Sequence, residues 1–254
     1  MASQVRGRVG WIVELSGIDW PGNLTFMLFL AGCNFRCPYC QNGGIIPLDS
    51  GYEVTVGDVM MEVERSLKLI DALGVSGGEP TLQPRFVESL FEAAKKYGLQ
   101  TFMNTNGSNP ELLDHLFERE LLDYVALDVK APLRSDLYGK VIGEAIPGSV
   151  AVENLKRSMD VCRGYGRRFE ARTTIVPGLT DNPEYVEMIA YVLKNYDCVY
   201  VLQQFSPYGD ILDSRYRLLE PTPEDILRGL AEVASNTGLR EVCIRYRGGM
   251  VRVT

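Results

Sequence analysis

The chain has only one histidine among its 254 residues, and its basic residues form no block. Lysine and arginine together number 26 against 33 acidic residues, which leaves a formal charge of −7. An acidic chain without basic clusters is a poor match for a nucleic-acid backbone, so we expect no nucleic-acid partner. No apolar run approaches a membrane span, and the N-terminal residues lack the apolar stretch of a signal peptide. These absences predict a cytoplasmic protein with no membrane partner.

The chain also lacks low-complexity sequence and any linker rich in proline and serine. Its hydrophobic fraction of 46% and charged fraction of 23% are usual for globular proteins. A chain of this length can form one large α/β domain or two small ones. Because no change in composition marks a boundary, we predict a single domain over residues 1–254.

Cysteine is unevenly distributed along the chain. Three of its six cysteines, Cys33, Cys37 and Cys40, lie within eight residues with the spacing C-x3-C-x2-C. Thiolates this close together are typical of a site for soft metal ions, and three of them leave a fourth coordination position open. The other three are scattered among apolar neighbours and are predicted to be buried small side chains: Cys162, Cys198 and Cys243.

Two other interpretations of the cysteine loop remain open at this point. A structural zinc site usually has four ligands, and the only histidine, His115, lies far away in a predicted helix. A disulfide requires an oxidising compartment and is typical of small secreted chains. The loop therefore favours a redox cluster over both alternatives.

Short apolar runs alternate with helical periodicities along the chain. The runs predict strands at Leu24–Leu30, Ala72–Val75, Leu99–Asn104, Tyr124–Val129, Phe169–Ile175, Val199–Gln203 and Glu241–Tyr246. The periodicities predict helices around Val56–Ile70, Pro84–Tyr97, Pro110–Arg119 and Val150–Cys162, and two that begin near Pro183 and Pro223. Repeated βα units predict an α/β protein with a parallel sheet, either doubly wound or curled into a barrel.

The positions of the polar residues distinguish between these two architectures. Candidate functional groups follow the carboxyl ends of successive predicted strands, beginning with the cysteines and ending with Gln203 and Gln204. Strand carboxyl ends form one rim of a barrel, whereas groups on the outer strands of a flat sheet could not reach one ligand. The order therefore favours a partial (β/α)6 barrel.

The cysteine loop, together with Gly77-Gly78-Glu79, resembles the radical S-adenosylmethionine (SAM) enzymes over about residues 17–207. This resemblance implies a partial, TIM-like (β/α)6 barrel, extended by a C-terminal helix and strand in residues 208–254. It also implies that Cys33, Cys37 and Cys40 bind three irons of a [4Fe–4S] cluster. The fourth iron would bind the amino and carboxylate groups of SAM.

The same resemblance implies a set of cofactor-binding residues. Tyr39 is expected beside the adenine, and Asn42 near the adenine or the cluster. The glycines and Glu79 would hold the SAM amino group, Asp128 suits the ribose hydroxyls, and Lys130 suits the carboxylate. The predicted set consists of Tyr39, Asn42, Gly77, Gly78, Glu79, Asn104, Thr105, Asp128, Lys130, Arg172 and Gln204.

Several of these residues have a structural alternative. Asp128 and Lys130 are two residues apart on a strand and therefore share a face, where they could form a buried ion pair. Arg172 could equally be an ion-paired arginine, and Tyr39 could be a core residue. Asn104 stands where activating enzymes carry an aspartate in a D-T-N-G pattern, so a charged role there is in question.

Two further segments resemble the activating enzymes of glycyl-radical enzymes. The segment Gly17-Ile18-Asp19-Trp20-Pro21-Gly22 and the cysteine loop are similar to anaerobic ribonucleotide reductase activating proteins. The resemblance implies reductive cleavage of SAM and removal of hydrogen from a glycine of a partner enzyme, with flavodoxin or ferredoxin as reductant. The alternatives are a radical SAM enzyme acting on a small molecule or another protein, and a non-enzymatic metal protein.

Overall fold

The computed structural model describes residues 2–166 and 169–253. The chain divides into two compact units. The first contains Met1–Asn34, Gly44–Thr105 and Asn109–Val125, and the second contains Phe35–Gly43, Asn106–Ser108 and Ala126–Thr254. None of the helices in the described ranges combines the length and the apolar character needed to cross a membrane.

The first unit contains a mixed sheet with the strand order β3-β1-β2-β4-β5. Its strands are β1 (Arg6–Ser16), β2 (Thr25–Leu30), β3 (Tyr52–Thr55), β4 (Ala72–Gly77) and β5 (Gln100–Thr105). Strands β2, β4 and β5 are parallel, while β1 runs antiparallel to both β2 and β3. The helices are α1 (Val56–Ser66), α2 (Pro84–Lys96) and α3 (Pro110–Glu118).

Local sequence explains where these helices begin. Thr55 and Asp58 form a reciprocal capping box at the start of α1. Helices α2 and α3 both begin with proline, which has no backbone N–H to leave unpaired, and Asn109 caps α3 through its side chain. Strand β2 is buried along almost its whole length, as expected of a strand within a parallel sheet.

The second unit contains the strand order β6-β7-β8-β9-β10. Its strands are β6 (Tyr124–Asp128, entering this unit at Ala126), β7 (Phe169–Ile175), β8 (Cys198–Gln204), β9 (Val242–Tyr246) and β10 (Gly249–Arg252). The first four are parallel, and β10 is antiparallel to β9. The helices are α4 (Ser135–Val141), α5 (Gly148–Gly164), α6 (Pro183–Leu193) and α7 (Glu224–Asn236).

Every strand and helix predicted from the sequence is present, with shifts of a few residues at the ends. The unpredicted elements are β1, β3, β10 and α4. The three strands are antiparallel and partly exposed, so they lack the continuous apolar run that marks a strand buried on both faces. The three cysteines outside the loop, Cys162, Cys198 and Cys243, are buried, which confirms their predicted environment.

Candidate active site

The first cysteine follows β2 and is positioned by backbone hydrogen bonds within the first unit. Gly32 donates its N–H to the carbonyl of Ile45 (2.8 Å), and Cys33 donates to the carbonyl of Ile46 (2.9 Å). Gly32 has φ +94°, a left-handed conformation that glycine adopts without steric cost. The backbone therefore leaves the strand and turns sharply just before Cys33.

The Gly77-Gly78-Glu79 turn packs directly against this bend. A Cβ at Gly78 would lie 2.0 Å from the Gly32 oxygen and 3.3 Å from Cys33 Cβ, so only glycine fits there. Gly77 has φ +117°. The N–H of Glu79 donates to the Gly32 carbonyl at 2.6 Å. The two glycines thus let the turn at the end of β4 support the start of the cysteine loop, and their predicted contact with the SAM amino group stays a prediction.

The Glu79 carboxylate is fully buried. Its Oε1 accepts hydrogen bonds from the Thr81 N–H (3.0 Å), the Thr81 hydroxyl (2.7 Å) and the Thr105 hydroxyl (2.7 Å). Beside Thr105, Asn104 donates from Nδ2 to Ser76 Oγ at 3.1 Å. Asn104 Oδ1 is buried and has no hydrogen-bond partner among the described residues. Such an acceptor suits a donor group such as the ammonium group of a ligand.

The other two cysteines of the loop lie in the second unit. Burial raises the pKa of the Cys37 thiol to about 11 and raises that of Cys40. The N–H of Cys40 donates to the Cys37 carbonyl (3.0 Å), and the backbone of Asn42 forms a hydrogen bond with the Cys40 thiol. A bound metal removes the protons from such thiols. Tyr39 lies between Cys37 and Cys40 in the sequence, and its ring is buried. Burial also raises the pKa of its phenol well above the usual value.

Asp128 and Lys130 form an ion pair at the end of β6. Lys130 Nζ lies 2.8 Å from Asp128 Oδ2, and the two side chains are only 16% and 21% exposed. Burial opposes the charge of Lys130, but Asp128, Tyr39 and Cys37 outweigh it and hold the lysine pKa well above its usual value. The two side chains therefore point to the same face of the strand. Both lie close enough to Cys37 to interact with it electrostatically.

Tyr138 of α4 supports this pair and was not predicted from the sequence. Its hydroxyl donates to the Asp128 carbonyl (3.3 Å) and accepts from the Lys130 N–H (3.4 Å). It is fully buried, although it belongs to a stretch in which no element was predicted. Nothing in its local sequence distinguishes it from a surface tyrosine of a loop.

Arg172 lies on β7, where it is buried. Its register partner on the neighbouring strand β6 is Asp128. Arg172 Nε donates to Glu170 Oε1, which also accepts from Arg245 Nη2 at 2.9 Å. A buried carboxylate between two guanidinium groups is a satisfied ion-pair cluster. The ion-paired interpretation therefore describes Arg172, and its contact with a cofactor stays a prediction.

Gln204 is the last residue of β8, and both polar atoms of its side-chain amide form hydrogen bonds. Nε2 donates to the Thr222 carbonyl (2.7 Å), and Oε1 accepts from the Arg247 N–H (3.1 Å). The amide links three segments of the second unit. Its predicted role as a last SAM contact stays a prediction.

A segment outside the predicted site also holds the cysteine loop. Residues 206–213, here called the strap, run beside residues 38–43 in the second unit. Leu212 donates its N–H to the Cys40 carbonyl (3.0 Å), and Gly43 donates to the Asp210 carbonyl (2.8 Å). Gln41 Nε2 donates to the Ser206 carbonyl at 2.6 Å. The strap was missed because most of its contacts are made by the backbone and leave no pattern in the sequence.

Comparison with known proteins identifies the family. A model of the radical SAM superfamily matches residues 27–190. The chain belongs to this superfamily. It is 35% identical over 249 residues to the "Putative glycyl-radical enzyme activating enzyme" of Methanocaldococcus jannaschii, covering 98% of this chain and 100% of that one. It is 31% identical over 203 residues to the pyruvate formate-lyase-activating enzyme of Clostridium pasteurianum, covering 75% and 78%.

The chain therefore belongs, within the radical SAM superfamily, to the family of glycyl-radical enzyme activating enzymes. Among solved structures, a radical SAM methyltransferase of Sphaerobacter thermophilus superposes with a TM-score of 0.68 at 16% identity, covering 89% of this chain and 67% of that chain. The α/β fold of the radical SAM type predicted from the sequence, with an open sheet consistent with a partial barrel, is thereby confirmed.

The cofactors of the superfamily are the predicted ones, a [4Fe–4S] cluster and SAM. Each unit carries groups that fit these cofactors. The first has Cys33, the glycine cradle at Gly78 and the buried Asn104 Oδ1, and the second has Cys37, Cys40 and the buried Tyr39 hydroxyl; the Asn104 and Tyr39 atoms lack partners among the described residues. Within those residues, no three His, Cys, Asp or Glu side chains are grouped to hold one metal ion. A cube needs no such group, because each cysteine binds a different iron.

Proposed function

We propose that this protein activates a glycyl-radical enzyme by removing one hydrogen atom from a backbone glycine of that partner. We further propose that the partner is an anaerobic ribonucleotide reductase, with flavodoxin or ferredoxin as the electron donor in the cytoplasm. The observation that carries the first proposal is the similarity over 98% of the chain to a protein named as an activating enzyme. The choice of partner is supported by the sequence from Gly17 to Gly22 and the cysteine loop.

The chemistry divides between the cofactors and the chain. When bound, a [4Fe–4S] cluster and SAM would together supply the one-electron cleavage of SAM and the removal of a hydrogen atom from the partner's glycine. The chain's part is to hold the cluster through Cys33, Cys37 and Cys40, and to orient SAM. We propose Asn104 Oδ1 as an acceptor for its amino group and Lys130 as the cation for its carboxylate.

Burial in the two units also excludes water. Glu79 and Thr105 in the first unit, and Tyr39 in the second, are almost inaccessible to solvent, so the part of a cofactor that lies beside each would be held among fixed dipoles rather than mobile water. Positioning of this kind makes an intermolecular hydrogen transfer resemble an intramolecular one.

The test is anaerobic incubation of the reconstituted protein with SAM, reduced flavodoxin and the candidate reductase. We expect the electron paramagnetic resonance doublet of a glycyl radical, together with one 5′-deoxyadenosine per radical formed. Cys37→Ala is expected to abolish both products. Cys243→Ala, which alters a buried cysteine outside the loop, is the matched control and is expected to retain them.

The outcomes separate the two levels of the proposal. A doublet on pyruvate formate-lyase but not on the reductase would reject the partner and keep the activase. Formation of 5′-deoxyadenosine without a doublet on any glycyl-radical enzyme would reject the activase and favour a radical SAM enzyme with a different substrate.

A further inference from the structure

The hydroxyl of Tyr39 stands out among the buried phenols of this protein. Tyr39 is 5% exposed, and its hydroxyl has no hydrogen-bond partner among the described residues. The other buried tyrosines are both paired: Tyr138 donates to the Asp128 carbonyl, and Tyr200 donates to Thr173 Oγ1 at 3.1 Å. Because a buried hydroxyl loses its hydrogen bonds to water, such groups are almost always satisfied.

The groups around Tyr39 indicate which kind of hydrogen-bond acceptor its hydroxyl can have. The ionisable groups close to the Tyr39 phenol are Cys37, Lys130, Asp128 and Tyr138. Asp128 and Lys130 are already bonded to each other, and Lys130 has only donors to offer. Cys37, the first of these neighbours, is a predicted ligand of the cluster, so a bound cluster would bring sulfur acceptors to the side of the phenol.

The ring of Tyr39 is buried beside a second aromatic ring, and the backbone next to it is fixed by the strap. Its neighbour Cys40 is bonded to the strap, and the ring lies 6.5 Å from that of Tyr216, at an interplanar angle of 56°. Burial of the ring restricts the directions in which the hydroxyl can find an acceptor.

We propose that the Tyr39 hydroxyl donates a hydrogen bond to a sulfur atom of the bound [4Fe–4S] cluster and so raises the cluster's reduction potential. A hydrogen bond to sulfur stabilises the additional negative charge of the reduced state, which makes reduction easier. Tyr39 then has a second role besides the one expected of its ring. This inference rests on membership of the radical SAM superfamily and not on the identity of the partner.

The experiment compares reduction potentials in the full-length, anaerobically reconstituted protein. Wild type, Tyr39→Phe and the control Tyr200→Phe are titrated with and without SAM, and the reduced cluster is followed by electron paramagnetic resonance. We expect Tyr39→Phe to shift the midpoint to a more negative potential already without SAM, and Tyr200→Phe to leave it unchanged. After exchange into D2O, a deuterium coupling to the reduced cluster should be lost in Tyr39→Phe alone.

An unchanged midpoint and an unchanged coupling in Tyr39→Phe would overturn the proposal. A shift that appears only with SAM would overturn it too, since the acceptor would then belong to SAM. Loss of iron from a folded Tyr39→Phe protein, with Tyr200→Phe fully loaded, would support the contact. Wild type made with 3-fluorotyrosine keeps every ring and strengthens the phenol as a donor, so its midpoint should rise; a constant midpoint contradicts the proposal whatever the variants do.

Discussion

Gly78 offers the sharpest test of how the fold supports the cysteine loop. A methyl group added there would lie 2.0 Å from the Gly32 oxygen and 2.7 Å from its carbonyl carbon. Both are backbone atoms, so no side-chain rotation relieves the overlap. Ordinary contact begins at 3.4 Å, and the two segments would therefore have to separate by about 1.4 Å.

The expected cost follows from two effects. Overpacking of this kind costs about 1–3 kcal/mol. The same movement breaks the hydrogen bond from the Glu79 N–H to the Gly32 oxygen, which contributes about 1 kcal/mol. We therefore expect Gly78→Ala to lower the free energy of unfolding by about 2–4 kcal/mol. Because Gly32 precedes Cys33, we also expect the variant to bind less iron.

The assay is urea unfolding followed by circular dichroism, together with iron and sulfide analysis after anaerobic reconstitution. Gly229→Ala is the matched control, because Gly229 lies exposed within α7 and nothing lies within 4 Å of its added methyl group. Alanine at a helix interior is expected to stabilise by about 0.5–1 kcal/mol. If Gly78→Ala unfolds at the wild-type urea concentration and binds a full complement of iron, the close approach does not support the loop.

Three further predictions concern neighbouring contacts. Thr105→Val removes one donor from the buried Glu79 carboxylate and should destabilise by about 1–3 kcal/mol in urea unfolding, whereas Thr105→Ser should stay close to wild type. Lys130→Met leaves the Asp128 carboxylate without its partner and should lower the free energy of unfolding by about 2 kcal/mol or more. The double variant with Asp128→Asn should unfold at a higher urea concentration than Lys130→Met alone. Gly43→Ala places a methyl group 2.4 Å from a strap carbonyl, so the strap should become susceptible to limited proteolysis. Cleavage no faster than in wild type would refute this last prediction.

Much of the fold could be read from local patterns. The parallel strands β2 and β4–β9 are short apolar runs because they are buried on both faces, and their helices begin at recognisable capping residues and prolines. The antiparallel strand β1 escaped detection, since a partly exposed strand next to β2 needs no continuous apolar run. The prediction of a single domain stays a prediction.

The sequence by itself determined the chemistry of the loop. Three cysteines lie within one short stretch at a spacing suited to an iron–sulfur cluster, so Cys33, Cys37 and Cys40 can be predicted as its ligands without knowledge of the rest of the chain. Two glycines before Glu79 likewise indicate a close backbone approach. These features are local, and a local pattern survives in the linear sequence.

Only the tertiary structure decided which groups satisfy one another. It pairs Arg172 with Glu170, engages both ends of the Gln204 amide, lays the strap along the cysteine loop, and leaves the Tyr39 hydroxyl buried without a partner among the described residues. Such hydrogen bonds join residues far apart in the chain through the register of strands and the path of loops. The same side chain can be a ligand, an ion-pair partner or a packing element, and its three-dimensional neighbours make the difference.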